Sequence, residues 1–265
     1  MDINGKTIVL TGATGGIGRA IAERLNFEGA HLILVARNAE RLTRLVEELG
    51  SHAHRAVSAD LGSSEGRKSV VDACRADPGV SMLINCAGIN DFGLFDKQSP
   101  DTIKSLIEIN LMSPMLLCLD LLPLLQHRGE ARIINIGSTF GSIGYPGFST
   151  YCATKFGLRG FTEALRRELD DSNLRVSYIA PRATRTDLNS DNVVAMNDAL
   201  GTAMDDPSLV AAEVMRDIHG QAKADKYMGW PEKLFVRINA LFPGLVDNSL
   251  RKQLPIIRRF ANSKP

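Results

Sequence analysis

The chain has 265 residues, a net charge of +1 and 44% hydrophobic residues, a size and balance that suit one α/β domain with a sizeable core. Those values exclude a disordered polyelectrolyte and a nucleic-acid binder carried by a basic surface. Cys74, Cys86, Cys118 and Cys152 are scattered without a Cys-x-x-Cys pair, which reads as reduced, packed thiols in a cytoplasmic protein with no metal site and no disulfide frame.

In chain order, Lys6-Thr7-Ile8-Val9-Leu10 is a strand-type apolar run that starts too early to leave room for a signal peptide. Thr11-Gly12-Ala13-Thr14-Gly15-Gly16-Ile17-Gly18 follows, and then helix formers from Arg19 to Glu28. Strand, glycine turn and helix form the setting of a dinucleotide-binding loop. Its glycines allow a tight turn and close approach of backbone to pyrophosphate, and the helix N-terminus faces the phosphate charge. Further strand-like runs fall near 31–36, 54–58, 81–85, 132–137, 174–180 and 226–229. Ala39–Leu49, Ser64–Arg75, Pro100–Leu111 and Tyr151–Asp170 are the clearest helical patterns between them. Such alternation predicts a doubly wound parallel sheet of the Rossmann type, with helices on both faces and a ligand crevice beyond the carboxyl ends of the strands. Gly12, Asn85, Ser138 and Pro181 follow strand ends and are expected at that crevice. The apolar stretch Leu111–Leu125 is interrupted by Pro114, Asp120 and Pro123, which argues against a membrane span.

The end of the second strand reads Leu34-Val35-Ala36-Arg37-Asn38 and carries no carboxylate. An acidic residue there would favour NAD(H) by accepting from the ribose hydroxyls. Arg37 can instead make a forked contact to the 2′-phosphate of NADP(H), or be a solvated arginine opening a helix. NADP(H) is the expected cofactor. Arg19 and Arg41 can help Arg37 or be helix surface, and helix surface is the expected reading.

Tyr151-Cys152-Ala153-Thr154-Lys155 places a phenol and an ammonium four residues apart on one helix face, thirteen residues after Ser138. An ammonium beside a phenol favours the phenolate, so Lys155 is expected to lower the Tyr151 pKa from about 10 and make it a usable general acid/base.

Taken in order, these motifs resemble the short-chain dehydrogenase/reductase family over about Gly5 to Thr186. They are the Thr-Gly-x-x-x-Gly-Ile-Gly loop, Asp60-Leu61, Asn85-Cys86-Ala87-Gly88, Asn110, Ser138, Tyr151, Lys155, and Pro181 leading to Thr186. The glycine loop also satisfies the Thr-Gly-x-x-Gly-x-x-Gly pattern of the family's longer branch of epimerases and dehydratases. Length, the Asn-Ala-Gly-type segment and Asn110 favour the compact reductase branch.

The resemblance implies cofactor contacts at Gly12, Thr14, Gly16, Ile17, Gly18, Arg37, Asp60, Leu61, Asn85, Ala87, Gly88, Tyr151, Lys155, Pro181 and Thr186. It implies Ser138, Tyr151, Lys155 and Asn110 as the catalytic set, with Asn110 stabilising a helix distortion and a water chain. The expected activity is hydride transfer between nicotinamide and the carbonyl or secondary alcohol of an apolar, lipid-like or steroid-like small molecule. An epimerase or dehydratase with retained nicotinamide, and a non-catalytic dinucleotide-binding regulator, stay open as alternatives. A homodimer or homotetramer built through the Tyr151 helix and its neighbour is implied as well.

Two positions depart from the family pattern. Arg182 stands where Pro-Gly is common, and can either recognise an acidic substrate group or point to solvent. Cys86 replaces a common asparagine as a packing change.

Residues 1–230 are expected to form the catalytic domain, with 183–207 closing over the substrate, and 231–265 a basic amphipathic extension. Phe92, Leu94, Phe95, Phe140 and Phe148 adjoin motif loops and can line an apolar site. In the extension, Leu234, Phe235, Ile238, Leu241 and Phe242 recur at helical spacing, with seven Lys or Arg against two acidic residues. That apolar face can pack on its own domain or an oligomer partner, or cover a hydrophobic substrate entrance with peripheral membrane contact.

Overall fold

A computed structural model describes residues 1–50, 53–220 and 225–262. Seven parallel strands form one sheet: β1 (Thr7–Thr11), β2 (His31–Ala36), β3 (Arg55–Ser58), β4 (Val80–Asn85), β5 (Ala131–Ile136), β6 (Leu174–Ala180) and β7 (Lys226–Tyr227), in the order 3-2-1-4-5-6-7. The order reverses beside β1, between β1 and β4, which opens the crevice of the doubly wound fold at the glycine loop.

Strand side chains alternate between two apolar layers. Ile8, Leu10, Leu32 and Leu34 meet Ile21 and Leu25 of α1 (Gly16–Phe27), Leu42 of α2 (Ala39–Leu49) and Val210 and Val214 of α8 (Pro207–His219). Val9, Ile33 and Leu83 meet Val70 of α3 (Ser64–Arg75), and Leu117 and Leu121 of α5 (Ser113–Gln126), on the other face. Being buried on both faces explains why the central strands read as unbroken apolar runs.

The helix predicted over Pro100–Leu111 is longer than its pattern. α4 (Pro100–Ile107) runs through a π-helical turn at Glu108–Met112 into α5 without a break. Pro114 falls in the first turn of α5, where a missing N–H costs little, and Pro123 is accommodated inside it. The prolines therefore do not break the helix, and Asp120 remains exposed on it. Among the described residues, Pro100–Gln126 is the one helix long and apolar enough to cross a membrane. Leu106, Leu117, Leu121 and Leu125 on this helix are fully buried against the domain.

After β6 the chain forms α7 (Asp191–Ala199), then α8 and β7. The extension makes two helices, α9 (Glu232–Leu241) and α10 (Pro243–Ala261). Ile257 of α10 is buried against Val193 and Met196 of α7 and Phe148. Of the alternatives for the apolar face, packing on its own domain is not what its residues do. Leu234, Phe235, Leu241 and Phe242 are exposed, and Val236 is the buried residue of α9.

Candidate active site

Two cavities meet beyond the carboxyl ends of the strands. The first is an open groove of about 1270 Å³, including solvent-open space, lined by Gly12, Thr14, Gly15, Gly16, Ile17 and Gly18. Arg37, Arg41, Asp60, Leu61, Ala87, Gly88, Tyr151, Lys155 and Thr186 complete its walls. Gly12 has φ +68°, a left-handed conformation suited to glycine, and a Cβ there would lie 2.7 Å from the Ala87 Cα. A Cβ at Gly18 would lie 2.1 Å from the Gly12 carbonyl oxygen. The Thr11 hydroxyl stitches the loop to its neighbour by accepting from the amides of Cys86 at 3.0 Å and Ala87 at 3.1 Å.

These features fit a nicotinamide dinucleotide. The glycine cradle leaves its backbone bare at the N-terminus of α1, where anionic phosphate is favoured. Lys155 is only 5% exposed, and its three-donor ammonium gives one bond, at 3.1 Å, to the Ile136 carbonyl. Such a group suits the ribose hydroxyls of a bound nucleotide.

Two expected cofactor residues lie elsewhere. Asn85 is buried within the sheet, donating to Asn135 Oδ1 at 2.8 Å, because its side chain faces β5. Pro181 lines the second cavity, and its carbonyl accepts from the amide and hydroxyl of Thr139. Arg19 is on the surface, as expected, paired with Glu23 and Glu48. Arg41, read as helix surface, lines the groove beside Arg37.

The second cavity is lined by Asn90, Ser138, Phe140, Tyr145, Phe148, Tyr151, Pro181, Arg182, Val193, Met196 and Glu232, among others. Of the five apolar residues singled out in the sequence, Phe140 and Phe148 line it. Phe92 packs behind it, its ring centroid 5.0 Å from that of Phe148, and Phe95 is exposed. Tyr151 borders both cavities, Lys155 borders the groove and Ser138 the second cavity.

All three come from the β5 end and α6 (Ser149–Glu168). Ser138 is extended, and its hydroxyl accepts from the Phe140 amide at 3.1 Å. Burial pushes the Tyr151 phenol up to about 12, with the Ser138 hydrogen bond pulling the other way. The shift runs opposite to the expected lowering by Lys155: desolvation is its largest cause, and the ammonium Nζ lies 5.7 Å from the ring centroid. Burial also brings Lys155 itself down from 10.5 to about 8, opposed by Cys86. The Cys86 thiol is raised to about 12 by burial and stays neutral.

Asn110 is fully buried in the π-helical turn, which is the distortion expected at that position. Its Oδ1 accepts from the Ile89 amide at 2.8 Å, and its Nδ2 donates to the Ile89 carbonyl at 2.9 Å and to Thr154 at 3.3 Å. It thus ties the strand β4 loop to the catalytic helix.

Arg182 lines the second cavity and is not directed to open solvent. Its guanidinium is 20% exposed and pairs with Asp205 at 2.6 Å and Glu232 at 3.4 Å. The charge is spent internally, joining the substrate-covering segment to the start of α9.

Sequence reasoning missed Tyr178. Its fully buried hydroxyl donates to the Ser138 carbonyl at 3.1 Å and approaches that of Lys155 at 3.4 Å, while accepting from the Ser138 amide at 3.2 Å. Gly137 and Gly141 make room for the ring, since a Cβ at either would fall about 2 Å from it. The one available signal was a polar-tipped aromatic in an otherwise apolar strand.

Comparison with known proteins agrees with this architecture. Residues 6–196 match the short chain dehydrogenase family. The chain is 32% identical to dehydrogenase/reductase SDR family member 7B of Bos taurus, over 92% of this chain and 79% of that protein. Its fold is similar to 3-ketoacyl-(acyl-carrier-protein) reductase from Brucella melitensis complexed with NADH, at TM-score 0.80 and 25% identity, covering 87% of this chain and 99% of that one. It is equally similar to a short-chain dehydrogenase from Sphingobium yanoikuyae in complex with NADPH, at TM-score 0.79 and 28% identity, covering 91% and 95%. The chain belongs to the short-chain dehydrogenase/reductase family, and is a dinucleotide-dependent oxidoreductase by that membership.

Proposed function

We propose that the protein is an NADP(H)-dependent oxidoreductase acting on the carbonyl or secondary alcohol of an apolar small molecule, with Tyr151 as general acid/base. The observation that carries this is the placement of Tyr151 on the boundary of both cavities, with Lys155 on the groove side and Ser138 on the other. Bound in the groove, a nicotinamide dinucleotide supplies or accepts the hydride.

Hydride arrival at a carbonyl carbon leaves negative charge on oxygen, which needs a proton or strong donors. Tyr151, protonated at neutral pH with its pKa near 12, is poised to donate in the reductive direction. Ser138 holds the substrate oxygen near the phenol. Lys155 holds the ribose, and Asn110 keeps the loop after β4 in register with Lys155.

Arg37 and Arg41 at the β2 end, with no carboxylate in the turn, support the 2′-phosphate of NADP(H). Similar proteins occur with either cofactor, so this preference rests on those arginines. Phe140, Tyr145, Phe148, Val193 and Met196 support an apolar substrate, and Arg182 on the same wall is already paired with Asp205 and Glu232. The Brucella relative's name, 3-ketoacyl-(acyl-carrier-protein) reductase, supports reduction of a carbonyl. Four free cysteines support a cytoplasmic location.

The test is turnover of a panel of ketones, aldehydes and secondary alcohols, with NADPH and NADH in parallel, by the wild type and Tyr151→Phe. NADPH-preferring turnover is expected, with kcat about 10²- to 10⁴-fold lower in the variant and cofactor affinity unchanged. Preference for NADH would remove the Arg37 argument. Full activity in Tyr151→Phe would remove the acid/base assignment, and tight cofactor binding without net turnover would favour the epimerase or regulator reading.

A further inference from the structure

The two sides of the C-terminal helix pair differ sharply. Inward, Val236 and Ile257 are buried, Asn239 donates to the Ser142 carbonyl at 2.9 Å, and Tyr145 donates to Gln253 at 3.2 Å. Outward, the corner where α9 meets α10 reads Leu241-Phe242-Pro243-Gly244-Leu245, five uncharged residues in a row. Leu241 is 72% exposed, Phe242 61% and Leu245 62%, and Leu234 and Phe235 extend the patch along α9. A contiguous apolar corner of this kind marks an interaction site.

Charge decides what kind. Lys233, Arg237 and Leu241 are spaced by four and so form one column along α9, leading down to the corner. Among the described residues neither Lys233 nor Arg237 is paired with a carboxylate. Arg251, Lys252 and Arg258 are exposed on α10. The acidic residues of the pair are Glu232, held by Arg182, and Asp247. A second copy docked symmetrically on this patch would bring cations against cations. An anionic lipid surface complements it, taking the apolar corner below the headgroups and the cations among them.

We propose that the α9–α10 corner docks the protein on anionic bilayers, through Leu241, Phe242 and Leu245 with Lys233 and Arg237. The surface adjoins the substrate cavity. Glu232 at the head of α9 lines that cavity, and Ile257 of α10 packs against Phe148, Val193 and Met196, which line it too. Docking therefore brings the cavity's wall to the membrane, where a lipid-soluble carbonyl compound resides. This last step rests on the apolar-substrate reading, whereas the docking surface stands on its own geometry.

The test is co-sedimentation of the full-length protein with vesicles of phosphatidylcholine alone and of phosphatidylcholine with phosphatidylglycerol. The double variants Leu241→Ser/Phe242→Ser and Lys233→Gln/Arg237→Gln run alongside. The wild type should pellet with the anionic vesicles and be partly released by high salt. The apolar double variant should stay in the supernatant, and binding should weaken about fivefold per cation removed. Turnover of a water-soluble carbonyl should be unchanged in both variants, which shows that they fold. A wild type that stays in the supernatant with anionic vesicles overturns the proposal, as does undiminished pelleting of both variants. Sedimentation velocity without lipid supplies a further check: loss of an oligomer in Leu241→Ser/Phe242→Ser would assign the corner to a second copy and overturn it. Because vesicle binding is read without turnover, absence of carbonyl activity would sink the substrate reading and leave this result standing.

Discussion

Lys155 shows at the scale of one residue how function is held against stability. Its ammonium is buried, and burial brings its pKa down from 10.5 to about 8. Below that value the folded protein keeps a cation out of water. Between about 8 and 10.5 the unfolded chain binds the proton that the folded one has lost, so stability rises with pH through that window. Without cofactor, Lys155→Met should therefore be more stable than the wild type at about pH 7, by as much as about 3 kcal/mol. The advantage should shrink towards about pH 10, and turnover should be lost. Urea unfolding at the two pH values measures it, and a variant less stable than the wild type at the lower pH would sink the idea. Residues of this kind were legible in the sequence because a phenol and an ammonium four apart need only a helix to meet. Tyr178 was not legible, because its hydroxyl meets Ser138 and Lys155 only once β5, β6 and α6 are assembled. The pKa of Tyr151 was misread for the same reason: spacing reveals the ammonium, while burial is a property of the assembled site.

Elements were legible where their burial is simple. The central strands, apolar on both faces, appear in the sequence as continuous runs and fold close to their expected bounds. The Pro100–Gln126 helix was read short because prolines usually end helices, whereas here one occupies a first turn and the π-helical turn absorbs the change of register. Within the segment expected to close over the substrate, α7 carries Val193 and Met196 into a small core with Ile257. Arg182 binds these elements together, reaching Asp205 before α8 and Glu232 at the start of α9. Arg182→Met would leave the two carboxylates facing each other without their cation. We expect a loss of about 1–3 kcal/mol in stability and a rise in KM larger than the fall in kcat, because the covering segment loosens while Tyr151 stays in place. Unchanged KM and melting temperature would show that the covering segment is held by its apolar contacts alone.

For the whole molecule, the outer side of α4, α5 and α6 poses the remaining packing question. Ile107, Met112, Met115 and Phe156 are each about 40% exposed and Leu119 is 65% exposed. They lie on the outer side of the helices that carry Asn110, Tyr151 and Lys155, and an apolar band of this kind is expected to be covered by another protomer. We propose that it forms the core of a homodimer or homotetramer, which leaves the α9–α10 corner free for lipid. Leu119→Glu places a carboxylate at that contact while changing protomer stability by no more than about 0.5 kcal/mol, since the side chain is exposed in the protomer. Sedimentation velocity should show a smaller species. Catalysis should suffer as well: Phe156 adjoins Lys155 in sequence, so a face released from its partner lets α6 relax beneath the buried ammonium. If the variant kept its assembly, the band would have to be covered by something other than a second copy, and the membrane would be the next surface to test, since Pro100–Gln126 is also apolar enough to meet lipid.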